Sequence, residues 1–372
     1  MIFKNGIVCD ENFLFVRADI KTEGDKIVGI GRFEGDEVVD CTDKVILPGF
    51  IDIHIHGCNN ADCTDGNPDS VLKMSEYLAG RGVTSFCPAT MTVPAEDIRK
   101  SFGYIRDAMG KEKGAYVQGI NMEGPFISKE KKGAQAEENI IPPDIEFFNE
   151  LYDICPIRLV DIAPETEGAE QFIGEAKKKC TVSAAHTTAD FKMGMKGFEW
   201  GISHCTHLFN AMTGLSSRAP GLVGACFDHD SVTAELICDG IHISPATLRI
   251  AFRVLGKDRT VVISDAMMAS GLPEGEYMLG GQRVIKTDAA RLPDGTLAGS
   301  ATDLFEEFGK LVNDFGIPLE QAVRSVSINP ARVIGADRET GSIKEGKSAD
   351  FFITDNCFSR VYETYVKGER VF

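Results

Sequence analysis

At 372 residues the chain can bury a large core, enough for one big domain and a small one. Its 43% hydrophobic and 26% charged content is ordinary for a globular protein, and a net charge of -17, from 39 basic and 56 acidic residues, disfavours nucleic acid and anionic membrane as partners. Met1–Gly6 shows no basic segment leading into a long apolar one, no stretch approaches a membrane span, and the eleven cysteines lack CxxC spacing, which suits a reducing cytoplasm better than a disulfide framework.

The chain opens with short strand patterns at Met1–Val8, Arg17–Lys21 and Lys26–Ile30, the last two divided by a Gly24-Asp25 turn. Next comes the apolar run Gly49–Gly57, which ends in His54 and His56. Side chains alternate faces along a strand, so these two imidazoles point the same way, a ready divalent-metal pair. Pro68–Leu78 carries Val71, Leu72, Met74 and Leu78 at helical spacing. Further buried-strand patterns follow at Val83–Phe86, Tyr116–Met122, Arg158–Ala163, Thr181–Ala185, Gly201–His204, Val232–Ile237 and Thr260–Ser264, separated by helix-like stretches. With Phe50–His56 they predict eight parallel strands, hence an α/β chain built on a (β/α)8 TIM-like barrel. The Gly-rich segment Tyr277–Ser300 predicts hairpins on the barrel rim, and Pro318–Ser327 an amphipathic helix. The chain ends, like its start, in strand patterns at Ser348–Thr354 and Val361–Phe372. The expected organisation is a small β-sandwich domain from residues 1–48 and 345–372 around a barrel of residues 49–344.

Active sites of such barrels sit at the C-terminal ends of the strands. Six of the seven histidines fall there: His54, His56, His186, His204, His207 and His242. Glu123 ends the third predicted strand and Asp265 the eighth. A carboxylate closing a strand as apolar as Val261-Val262-Ile263 needs a partner. His204 and His207 are three positions apart and cannot share a face of one continuing strand, so His207 is the expected site residue and His204 a supporting or core one. Cys58, Cys63 and Cys205 lie nearby and read as small buried fillers. Together the set predicts a metal centre.

The motifs Pro48–Gly57, Glu123-Gly124-Pro125-Phe126, Lys132-Gly133-Ala134-Gln135, Ala185-His186-Thr187, Thr206–Met212, Asp239–His242, Ser264-Asp265-Ala266 and Leu297–Ser300 resemble, over essentially the whole chain, the amidohydrolase superfamily. Within it, the Thr-His-Leu-Phe-Asn-Ala-Met block with Glu-Gly-Pro is similar to the N-acetylglucosamine-6-phosphate deacetylases. The resemblance implies that Glu123, His186 and His207 bind one divalent metal. It implies that His54 and His56 can hold a second, with Glu123 bridging. Zinc is the first expectation, and iron or manganese also suits such ligands. Asp265 is implied as the general base and acid, and Gln135 as a donor to the acetamide carbonyl. Asn210, Ala211, His242 and Arg218 are implied to bind the sugar phosphate, Arg218 from a neighbouring subunit of a homodimer; from the residues alone it reads as an exposed surface charge. Ala134, Ala298, Gly299 and Ser300 are implied to complete the sugar pocket. The implied reaction yields acetate and glucosamine 6-phosphate. Deacetylation of the galactosamine isomer, cyclic-amide hydrolysis and a catalytically dead binding barrel are the alternatives; the last fits poorly with a complete ligand set.

Overall fold

The computed structural model describes residues 1–372. The two chain ends build two facing sheets. One orders Lys26–Gly31, Asp19–Glu23, Ile2–Lys4 and Val38–Asp40. The other orders Glu369–Arg370, Val361–Val366, Phe351–Thr354, Val45–Pro48, Ile7–Cys9 and Phe15–Arg17. The C-terminal Phe351–Thr354 pairs antiparallel with Val45–Pro48, so the end of the chain completes a sheet begun at its start. Strand alternation explains why this sheet is apolar on both faces. Ile46, Phe351 and Ile353 face the sandwich core with Phe3 and Tyr365, whose rings meet edge to face at 4.7 Å. Leu47 and Phe352 belong to the larger core, where Phe352 packs against Phe50 at 4.8 Å.

The barrel strands, in order, are Phe50–Ile55, Val83–Pro88, a third broken into Tyr116–Val117 and Ile120–Met122, then Ile157–Ile162, Thr181–Ala184, His204–Cys205, Thr233–Ile237 and Thr260–Ile263. Neighbours pair in parallel. The ring closes where Asp265 N–H donates to His54 O (3.0 Å) and His56 N–H to Ala266 O (2.9 Å). The third strand is divided because Gly119 sits at φ 136°, a conformation that interrupts a ladder and that only glycine enters freely. The sixth is only two residues long, shorter than the predicted Gly201–His204, since His204 pairs at its start and the chain turns away after Cys205. A core of 68 buried residues lies between strands and helices, and 11 more join strands one, two, four, seven and eight to the helix Ile328–Val333.

The helices start where local chemistry tells them to. Pro68–Ala79 is capped by Asn67, whose side chain accepts the Asp69 N–H, and it buries Val71, Met74 and Leu78. The predicted rim segment forms the antiparallel strands Gly275–Leu279, Gln282–Lys286 and Ala290–Arg291. The amphipathic helix runs Leu319–Val326. No helix is long and apolar enough to cross a membrane.

Helix Leu304–Asn313 carries Glu307 fully buried. Its oxygens accept the Cys238 N–H (2.7 Å) and the Thr302 hydroxyl (2.9 Å). Burial, and then the charge of Asp239, pushes this carboxyl well above the ordinary range. A folded-state pKa above the unfolded one stabilises fully below the unfolded value, and that stability is lost as pH rises through the folded value. Glutamine can accept the Cys238 N–H through its amide oxygen and donate its NH2 to the Thr302 hydroxyl, and it cannot ionise. Thermal melts of Glu307→Gln should therefore gain on the parent protein as pH rises from mildly acid to alkaline. A gap that stays flat or narrows would contradict this.

Candidate metal centre and cleft

Three of the chemistry-bearing residues sit just past strand ends in left-handed backbone: His186 at φ 43°, His207 at φ 30° and Asp265 at φ 46°. Non-glycine residues enter that region at a cost of about 1–3 kcal/mol each, so the surrounding structure must hold them there. Glu123 is followed by Gly124 at φ 76°, where a Cβ would run into Thr92 Oγ1. Glycine thus lets the chain turn directly behind the carboxylate.

Glu123 is the hub. Its Oε1 lies 3.1 Å from His186 Nε2, 3.1 Å from His207 Nε2 and 3.6 Å from His54 Nε2. Its Oε2 lies 3.3 Å from His56 Nε2 and accepts a 2.7 Å hydrogen bond from Gln135 Nε2. Asp265 Oδ1 lies 3.2 Å from His56 Nε2 and 3.6 Å from His54 Nε2. Two groups of potential ligands result, His54/His56/Glu123 and Glu123/His186/His207, each with its atoms within 4.8 Å of one another. The far ring nitrogens fix the tautomers. Nδ1 of His54 faces Glu235 Oε2 (3.0 Å), that of His56 faces Ala89 O (3.0 Å) and that of His186 faces Lys131 O (2.8 Å). A carbonyl or ionised carboxylate only accepts, so these Nδ1 atoms carry the proton and each Nε2 turns a lone pair inward. His54 Nε2 is buried with no hydrogen-bond partner, which is unfavourable unless a cation takes the lone pair. The donor set therefore fits a divalent metal. Burial drives the Glu123 and Asp265 carboxyls upward, yet positive charge on the imidazoles beside them outweighs it and holds both below the ordinary range, as a bound cation would.

A cavity of about 230 Å³ opens over the cluster, lined by His56, Glu123, Ala134, Gln135, His186, His207, Asn210, Ala211, His242, Asp265 and Gly299, with Met91, Gly133, Ile237, Leu279, Thr296 and Leu297. His242 is oriented by Asp239, whose Oδ2 is 2.7 Å from its Nδ1 and whose Oδ1 accepts the Ile241 and His242 N–H groups. Gln135 is fixed at both ends, since its Oε1 accepts the Thr92 N–H (2.7 Å).

Two expected pocket residues are not on the cavity wall. Ala298 packs into an apolar cluster with Met91 and Met267, and the Ser300 hydroxyl donates to Ser264 O (2.5 Å). The chain turns here, with Gly299 at φ 61°, so that Thr296, Leu297 and Gly299 meet the cavity while the Ala298 and Ser300 side chains go to the contacts just described. Ser300 instead braces the end of strand eight, donating its N–H to Asp265 O (2.6 Å). Arg218 is exposed and outside the cavity of its own chain. Cys58, Cys63 and Cys205 are buried and off the cavity wall, and burial pushes the Cys58 and Cys63 thiols well up.

Sequence reasoning missed Glu235. This carboxylate is fully buried in strand seven, against His54, His204 and the main chain of His207. An acid inside the apolar run Val232–Ile237 is the same signal that singled out Asp265. Asp52 and Asp161 are likewise buried on strands one and four; Asp52 accepts from Ser264 Oγ (2.5 Å), and Asp161 accepts from Thr206 Oγ1 (2.8 Å) through Oδ1 alone, its Oδ2 having no partner.

The amidohydrolase family model matches residues 45–371. The chain is 36% identical over 328 residues to an N-acetylglucosamine-6-phosphate deacetylase of Bacillus subtilis, covering 86% of this chain and 83% of that one. It is 33% identical over 331 residues to an N-acetylgalactosamine-6-phosphate deacetylase of Escherichia coli O157:H7, covering 88% and 87%. The crystal structure of N-acetylglucosamine-6-phosphate deacetylase from Pasteurella multocida superposes with a TM-score of 0.93 at 30% identity, over 99% of this chain and 98% of that one. Barrel, ligand clusters and sequence agree: the chain belongs to the amidohydrolase family.

Proposed function

We propose that the protein hydrolyses the acetamide of N-acetyl-D-glucosamine 6-phosphate to D-glucosamine 6-phosphate and acetate. The observation that carries this reading is the position of Asp265: it shares one cavity with both ligand groups, its Oδ1 3.2 Å from His56 Nε2. The names of the relatives in Bacillus subtilis and Pasteurella multocida supply the substrate.

Glu123, His186 and His207 would hold the essential ion. His54 and His56, with Glu123, would hold a second. Zinc suits this histidine-rich set first; iron or manganese is the alternative. A divalent ion in such a site makes water nucleophilic at neutral pH and polarises an amide carbonyl. Asp265 then accepts the proton of the attacking water and returns it to the departing amine, so that one amide and one water become acetate and an amine. Gln135 lies at the cavity wall with one N–H held by Glu123, and its second N–H would leave the weak contact to Met91 Sδ to donate to the acetamide oxygen. Ala134 and Gly299 leave room for the sugar ring.

Asn210, Ala211 and His242 line the side assigned to the phosphate. Arg218 completes it from a neighbouring subunit of a homodimer; its exposure in its own chain supports that role. Arginine matches phosphate oxygens bidentately. Arg218→Ala should raise KM for the phosphosugar about 10- to 100-fold, the range of a charge-assisted hydrogen bond. KM for the unphosphorylated sugar should hardly move, and equal rises for both would refute the assignment. All eleven thiols are free, which supports a reducing, cytoplasmic setting.

The substrate test is acetate release by metal-loaded enzyme from the 6-phosphates of N-acetylglucosamine and N-acetylgalactosamine and from plain N-acetylglucosamine. The reading expects the gluco-phosphate to be the fastest. Faster turnover of the galacto isomer would reassign the substrate, and no acetate from any of the three would overturn the reaction.

A further inference from the structure

Glu235 sits in the middle of strand seven with no exposure to solvent. Its neighbours Ala234 and Leu236 turn outward into the main core, leaving the carboxylate on the inner face beneath the cavity. Oε2 is hydrogen-bonded, while Oε1 makes only an ion-pair contact. Oε2 lies 3.0 Å from His54 Nδ1 and also accepts the main-chain N–H of His207 at 3.1 Å. Oε1 makes a 3.2 Å contact with His204 Nε2, whose ring is held on its other side by Thr233 Oγ1 at 2.6 Å. The single oxygen Oε2 thus touches one member of each ligand group: the ring of His54 and the backbone of His207. That backbone is in the left-handed region at φ 30°, where a residue stays only if it is held.

We propose that Glu235 is a positioning residue that ties the two metal positions together. By accepting from His54 Nδ1 it keeps that proton in place and aims Nε2 at Glu123 and Asp265. By accepting from His207 N–H it holds the turn that presents the other ring. His204 acts through Glu235 as the brace that keeps the carboxylate from rotating. The inference rests on the metal reading of the cluster and not on the identity of the substrate.

The full-length enzyme, stripped with chelator and titrated with Co2+ against a competing dye, tests it through stoichiometry, affinity and the visible spectrum of the bound ion. The parent chain should take up two ions. Glu235→Leu should weaken binding at both positions by about 10- to 100-fold, the usual cost of losing such a support. Glu235→Gln should recover most of that loss, because its amide oxygen can still accept from His54 and His207 while its NH2 faces His204. A folded Glu235→Leu that binds both ions as the parent does would overturn the proposal, as would a Glu235→Gln as weak as the leucine variant. If the leucine variant does not fold, 15N histidine spectra of the parent chain still decide. His54 must carry its proton on Nδ1, and a proton on Nε2 refutes the role. A parent chain that binds no metal would instead refute the metal reading itself.

Discussion

Asp265→Asn should lower kcat by about 10²- to 10⁴-fold, the contribution of a positioned general base and acid. The variant should fold, because the bonds that seat residue 265 are main-chain: its N–H donates to His54 O and its O accepts the Ser300 N–H. Asparagine is nearly isosteric but cannot take a proton. The Glu123/His186/His207 group does not include Asp265, so an ion there should persist. The parent carboxyl is held below the ordinary range, so it is ionised through neutral pH and the rate should fall only on the acid side. The variant's residual rate should lack that acid limb. Steady-state kinetics across pH, with metal content measured on the same samples, checks both parts. Full activity with metal retained would remove Asp265 from the reaction.

The second large effect falls on Glu123, the one residue shared by both ligand groups. Glu123→Gln replaces a buried anion facing four imidazoles with a neutral amide. Metal affinity at both positions should drop by more than about 100-fold, beyond the loss typical for a merely supporting partner. Activity should vanish with it. His54→Ala is the contrast: it should empty only the position it shares with His56. Metal analysis after dialysis distinguishes the two patterns. Two ions retained in Glu123→Gln would show that the carboxylate is not the bridge.

Much of this was legible in the chain. Barrel strands bury both faces, so they read as continuous apolar runs, and the polar residues that end them stand out. His54, His56, Glu123, His186, His207, His242 and Asp265 are such residues, and all of them line or adjoin one cavity. What was not legible depends on contacts far apart in sequence or on backbone geometry. Glu235 meets His54 across 181 residues, and no spacing rule connects them. The left-handed turns at His186, His207 and Asp265 are set by what surrounds them, not by their residue type. The roles expected for Ala298 and Ser300 came from a motif, and residue type alone did not show that both side chains turn to contacts behind the cavity wall. Gly119 broke the third strand where the pattern alone read as unbroken.

The central claim is that this cluster is a metal centre at which an acetamide is hydrolysed. The most direct measurement follows acetate from N-acetyl-D-glucosamine 6-phosphate through one cycle of chelation and reloading with zinc. Activity should disappear as the ions leave the Glu123/His186/His207 group and return in proportion to the metal restored. Acetate released at an undiminished rate by protein verified to be metal-free would contradict the account.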